Sequence, residues 1–162
     1  MQMPFSVQWD GADELLRKMD KLPEKAAKVA AQALYEGAGV MADAVSQAVR
    51  GIATEPFRYA VGGHRRKPSP EEKALLEAAP KGVAKFRKNG VSVDTSVGLG
   101  LSGYGQIKDK TKPVPQIANA INSGTSFMEK QPFFRKAVSQ AKGQALKTID
   151  SGIQKRIEEM TK

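Results

Sequence analysis

Residues 124–138 read GTSFMEKQPFFRKAV, and the joint they make decides how the C-terminal part of the chain is built. Gly124 offers a backbone turn that other residues resist. Pro132 pre-sets the first turn of a helix and keeps Gln131 extended, so the chain should arrive from a β-like segment and turn sharply. From Phe134 the apolar positions Phe134, Val138, Ala141, Ala145, Ile149, Ile153, Ile157 and Met160 recur at three- and four-residue steps, which predicts a long amphipathic helix. Phe133 and Phe134 fall on its first turn and splay by about 100°. Only one of them follows the stripe easily. The other packs sideways, on a hairpin or on a neighbouring subunit, unless the core takes both.

A second long helix is predicted in the first third. After Pro23, a good first-turn residue, Ala26, Ala30, Ala33, Leu34, Gly37, Met41, Val45 and Ala48 form an Ala/Gly-rich stripe. Small residues allow close approach but bury little apolar area each, so this helix requires a packing partner. Upstream, Phe5, Val7 and Trp9 alternate with polar residues as a short strand, and Asp10 stands as N-cap before a short helix in GADELLRKMDKL.

Between the two long helices the pattern changes. Residues 51–70 hold Gly51, Pro56, Gly62, Gly63, Pro68 and Pro70 around the run His64, Arg65, Arg66 and Lys67, which reads as an exposed, mobile basic loop. Ser69 with Glu72 makes a capping box and Pro70 suits the first helical position, so EEKALLEAA should be a short helix ending before Pro80. GVAKFRK and VSVDTSV follow, joined by Asn89-Gly90, a strong short-range hairpin signal.

The chain has 162 residues, 40% hydrophobic and 27% charged, which suits one folded domain over 1–162. It has no cysteine and a single histidine, His64, which excludes disulfides, thiolate metal sites and multi-histidine centres. Its apolar runs fall short of the roughly 20 residues that cross a bilayer, and MQMPFSVQWD is not a signal segment, so no membrane role is expected. The net charge is +9. Residues 51–112 carry twelve Lys/Arg against six Asp/Glu and residues 113–162 eight against four, whereas residues 1–50 carry six against seven. This field favours a polyanion such as DNA or an acidic protein surface, or else is a solvated basic face.

Three features resemble chemistry without supplying it. Gly98, Gly100 and Gly103 spell G-x-G-x-x-G, but a dinucleotide site needs a helix to open there, and YGQIKDKTKPVP reads as a flexible loop. His64 has no partner ligand and lies among cations. Glu71 and Glu72 are adjacent, so on a helix they point apart, and the capping role accounts for them. No grouping of nucleophile, base and orienter can be picked out, so neither an enzyme nor a cofactor is expected.

Two stretches, LPEKAAKVAAQALYEGAGVMADAV and INSGTSFMEKQPFFRKAV, resemble a family of small tail components of long-tailed bacteriophages, from the neck and tail-completion part of the virion. Gly124, Thr125, Pro132, Phe133 and Ala137 stand where its motif has Gly, Thr, Pro, Phe and Ala, and Gly37 with Ala38 matches its Gly-Ala helix pair. The order of these features covers most of the chain. Asn122 and Ser123 replace the usual acidic and aromatic residues, and residues 51–80 depart from the pattern.

The resemblance implies an α+β fold, a small antiparallel sheet with the Asn-Gly hairpin flanked by two long amphipathic helices. It implies a structural protein that joins or completes the tail at the head-to-tail junction, in a ring of its own copies, expected to be hexameric, beside other neck and tail proteins and around DNA in the lumen. The expected location is the virion tail or neck, assembled in the host cytoplasm. Small-residue helix stripes would then serve packing between subunits. Phe133, at the motif position, is expected to meet a neighbour with Pro132, Gly124 and Thr125, leaving Phe134 to the core. Arg65, Arg66, Lys67, Lys85, Arg87 and Lys88 are expected to face DNA or an acidic partner. The alternative is a basic nucleic-acid-binding protein.

Overall fold

The Ala/Gly stripe folds as helix α1 (Glu24–Arg50), with Ala30, Ala33, Ala38, Met41, Ala42, Val45 and Val49 buried at helical spacing. A computed structural model describes the backbone of residues 24–79, 81–83, 87–89, 92–94, 97–99 and 101–161, and the side chains of residues 28–79 and 101–159. The strand at Phe5, Val7 and Trp9, the cap at Asp10, the helix after it and Pro23 lie outside the described residues.

The fold is α+β. Among the described residues, α1 is followed by α2 (Pro70–Ala78), six short strands, α3 (Val114–Ser123) and α4 (Phe133–Thr161). α1 finds its partner in α4. Gly37 lies against Ile149 and Ala145 while Gly152 lies against Ala33 and Glu36, so the helices run antiparallel. Ala38, Met41 and Ala42 pack on Ala141 and Ala145. The small residues thus bring two helices of one chain together, which corrects the expectation that they serve contacts between subunits.

The capping box forms as expected. Ser69 Oγ accepts the Glu72 N–H at 3.2 Å, Glu72 Oε2 accepts the Ser69 N–H at 2.8 Å, and Pro70 opens α2. α2 stops at Ala78, and Ala79 before Pro80 is extended, as the residue ahead of a proline prefers.

Among the described residues the strands pair as three two-stranded antiparallel ladders. β1 (Lys81–Val83) pairs with β4 (Val97–Leu99), and β2 (Arg87–Asn89) with β3 (Ser92–Asp94). These are the predicted hairpin, with Asn89 in the ladder opposite Ser92 rather than in the loop. β1 and β4 lie against α1. The third ladder joins β5 (Tyr104–Ile107) to β6 (Lys110–Pro113) where a flexible loop was expected. Lys108 turns that hairpin at φ 50, left-handed without a glycine. Gly103 is followed by a strand and not a helix, so the glycine pattern lacks the helix N-terminus that a pyrophosphate requires.

α3 buries Val114, Ile117, Ala118 and Ile121, an i, i+3, i+4, i+7 face. Together with Val45, Val49, Leu76, Ile107, Met128, Phe133, Phe134 and Ala137 these residues form the main core, where α1, α2, α3 and α4 meet.

Candidate functional site

The joint between α3 and α4 is a rigid corner made of local parts. Gly124 adopts φ 75, ψ 163, a region almost closed to other residues, and a Cβ there would sit 2.9 Å from Cβ of Lys130. Thr125 Oγ1 accepts the N–H groups of Phe127, at 3.3 Å, and Met128, at 3.0 Å, folding the following residues into a compact turn. Met128 is thereby buried in the main core. Gln131 N–H donates to Ile121 O at 2.8 Å, and its side-chain amide exchanges two 2.9 Å hydrogen bonds with the backbone of Ala53. Pro132 then leads into α4, and Asn122 Oδ1 accepts the Phe134 N–H at 3.2 Å, satisfying one of the free donors of the helix start.

Phe133 and Phe134 are equally buried, each 6% exposed, and both belong to the main core. The assignment of Phe133 to a neighbouring subunit is therefore corrected: both rings belong to the core that α1, α3 and Met128 also fill. Gly124, Thr125 and Pro132 shape the backbone that places them.

The basic loop divides into a tied base and a projecting tip. Arg66 N–H donates to Phe127 O at 3.0 Å and Glu129 N–H to Arg66 O at 2.8 Å, a parallel bridge that stitches the loop to the joint. The Arg66 side chain is buried and meets Glu72 through two 2.6 Å hydrogen bonds, with its guanidinium 5.1 Å from the Phe57 ring centroid. Arg66 is thus removed from the expected charged surface, because Glu72 neutralises it inside the fold. Pro68, Ser69 and Ile52 are buried as well, so the picture of a mobile loop over 51–70 is corrected at its base. Glu55 adds a further tie. Its carboxylate accepts the Lys67 N–H at 2.7 Å and lies 3.0 Å from Arg58 Nε, and these contacts hold its pKa below the ordinary value. Lys67 is half-buried, whereas His64 and Arg65 are exposed at the tip, which turns at Gly62 and Gly63, both with positive φ.

Of the other expected cations, Lys85 lies outside the described residues, and Arg87 and Lys88 sit on β2 opposite Asp94 and Val93.

The structure brings together a set that sequence reasoning missed. Lys108 Nζ lies 4.4 Å from the Phe57 ring centroid, Lys110 Nζ 5.9 Å from that of Tyr59, and Lys112 Nζ 5.9 Å from that of Phe127. Ile107 and Gly105 pair with Lys110 and Lys112, and paired residues share a face, so both lysines spring from the inner face of the hairpin, Lys110 reaching the basic loop at Tyr59 and Lys112 the α3–α4 joint at Phe127. The alternation Lys108, Lys110, Lys112 is the signal that could have found this row.

Among the described residues no group of three His, Cys, Asp or Glu could hold a metal ion, and no helix is long and apolar enough to cross a membrane. No protein-family model, no curated protein and no solved structure matches this chain.

Proposed function

We propose that this chain is a structural virion protein of the neck or tail top of a long-tailed bacteriophage, joining or completing the tail at the head-to-tail junction as part of an oligomeric ring. The observation that carries this reading is the α3–α4 joint. The residues by which the chain resembles the tail family, Gly124, Thr125, Pro132, Phe133 and Ala137, form one architectural unit. Each has a mechanical role: Gly124 admits the turn, Thr125 closes it, Pro132 starts the helix, and Phe133 and Ala137 seat it in the core. A motif devoted to the angle between an extended segment and a long helix suits a part that must hold a shape, and the excess of positive charge suits a ring around DNA. On this reading the chain is not an enzyme, and its partners are its own copies and other neck and tail proteins in the virion.

The test is electron microscopy and light scattering of the purified protein, alone and with tail tubes. Rings, or tube ends capped by the protein, are expected. A monomer that neither closes into rings nor attaches to tails overturns the proposal.

The second reading, a basic nucleic-acid-binding protein, is favoured by one specific observation, the row of lysines against aromatic rings. It requires a small oligomer with salt-sensitive affinity for nucleic acid and no attachment to tails.

A further inference from the structure

We infer that the seam the β5–β6 hairpin makes with the basic loop and the α3–α4 joint is a binding track for single-stranded nucleic acid, with Lys108, Lys110 and Lys112 holding phosphates and Tyr59 and Phe127 stacking bases. This goes beyond the ring reading and stands or falls apart from it.

Charge selects the class of ligand. The three segments that form the seam, 55–67, 104–113 and 124–131, contain eight Lys/Arg and three acidic residues, Glu55, Asp109 and Glu129. Two of the eight are paired, Arg66 with Glu72 and Arg58 with Glu55, and Glu71 lies close enough to Lys108 to feel its charge. The rest leaves a net positive strip.

Geometry selects the form of ligand. An ammonium held over a ring gives up part of its freedom, so three rings restrain three lysines along the seam before any ligand arrives. Alternate residues along a strand are about 6.7 Å apart, which repeats Lys110 and Lys112 at a regular interval along β6. Each ammonium presents further N–H donors, so a phosphate can bind without displacing the ring.

The rings themselves stay open. Tyr59 is 65% exposed and Phe127 42% exposed, large values for aromatic side chains. A duplex keeps its base faces stacked inward and would leave these rings unused. A single strand offers a charged backbone and free base faces together, and cationic grooves set with aromatic platforms bind such strands with little regard to sequence.

The experiment measures fluorescence anisotropy of a labelled thymidine oligonucleotide, a duplex of equal length and a poly-glutamate peptide, each with the full chain. The oligonucleotide should bind more tightly than the duplex, and poly-glutamate should compete poorly. Tyr59→Ala with Phe127→Ala should weaken oligonucleotide binding at least about tenfold and leave duplex binding unchanged. Lys108→Gln, Lys110→Gln and Lys112→Gln together should lower the magnitude of the slope of log affinity against log salt by about 2. The control is Lys142→Gln with Lys147→Gln on α4, which should change neither reading. Circular dichroism and melting curves establish that each variant is folded, and a double aromatic variant that unfolds is replaced by Tyr59→Ser alone. Duplex binding as tight as the single strand, equal loss in the α4 control, or binding indifferent to Tyr59 and Phe127 overturns the inference. So does stronger binding of poly-glutamate, which would make the strip a surface for an acidic protein.

Discussion

Arg66 and Glu72 form a two-pronged ion pair inside the fold, with both hydrogen bonds at 2.6 Å and the two side chains 5% and 2% exposed. The pair locks two structures at once, since Glu72 also completes the capping box of α2 while Arg66 carries the backbone bridge to Phe127 and Glu129. Removing one partner strands a buried charge. Arg66→Ala or Glu72→Ala should therefore each cost about 3–5 kcal/mol in urea unfolding. The double variant should cost less than the sum, because no charge is left unpaired. Simple additivity in that cycle would show that the two groups act independently.

Gly37 marks a close approach between α1 and α4. A Cβ at this position would run into the Ile149 side chain and lie 3.0 Å from the Ala145 carbonyl oxygen. Gly37→Val should destabilise by about 1–3 kcal/mol through overpacking, despite the better helix propensity of most residues over glycine. Ile149→Ala should relieve part of that cost, and the relief is read as a coupling energy in a double-mutant cycle. A stabilised Gly37→Val protein would mean that the helices stand further apart.

The elements legible in the sequence are those encoded by neighbours in the chain. Ser69, Pro70 and Glu72 specify the start of α2 within four positions, and the small-residue stripe of α1 announces a helix and its need for a partner. The burial of Arg66 was not legible. A like-charge run reads as solvated, and what draws one of its members inward is a carboxylate six positions away, Glu72, and the distant backbone of Phe127 and Glu129. The β5–β6 hairpin hid behind a Lys108-Asp109 turn with no glycine and a second strand of lysine, threonine and proline. α3 carried a clear apolar face, but Pro113 and Pro115 obscured it, although proline is tolerated in a first helical turn. Phe133 was misplaced for a geometric reason. Adjacent residues on a helix splay, yet at its first turn the core wraps around the end and receives both.

Glu36 ties α1 to α4 through Arg156, at 2.5 Å and 3.3 Å. The hydrogen bonds from Arg156 hold the Glu36 carboxyl below its ordinary pKa. A folded-state pKa below the unfolded one contributes stability that is present above the ordinary carboxylate range, about 4.3, and is lost as pH falls through the lowered value. The pair is partly exposed, so the effect is small and weakens with salt. Glu36→Gln should lower the melting temperature slightly at neutral pH and not in strong acid. An equal difference at both pH values would rule out a charge effect.

Gly124 is required by its backbone. At φ 75 and ψ 163 it lies where only glycine is at ease, and the Lys130 backbone and Cβ fill the space a side chain would take. Gly124→Ala should cost about 1–3 kcal/mol. Gly124→Asn should not rescue it, because asparagine tolerates the left-handed helical region and not this one. Recovery with asparagine would show that the turn can shift to a left-handed helical conformation.

Phe133 and Phe134 should behave alike. Both are 6% exposed in one core, and the Phe134 N–H is held by Asn122. Truncating a buried phenylalanine costs about 3–5 kcal/mol, a large share of the stability of a typical domain. Phe133→Ala and Phe134→Ala should each lower the melting temperature strongly, and any loss of assembly should follow the loss of folded protein. Phe127 supplies the contrast: it lies in the same joint but is 42% exposed, so Phe127→Ala should leave the melting temperature within about a degree or two, since surface truncations usually shift stability by less than about 0.5 kcal/mol. Melting curves and size measurements on the three variants separate the cases. A Phe133→Ala protein that keeps its melting temperature and fails to assemble would return that ring to an interface and overturn the core assignment made here.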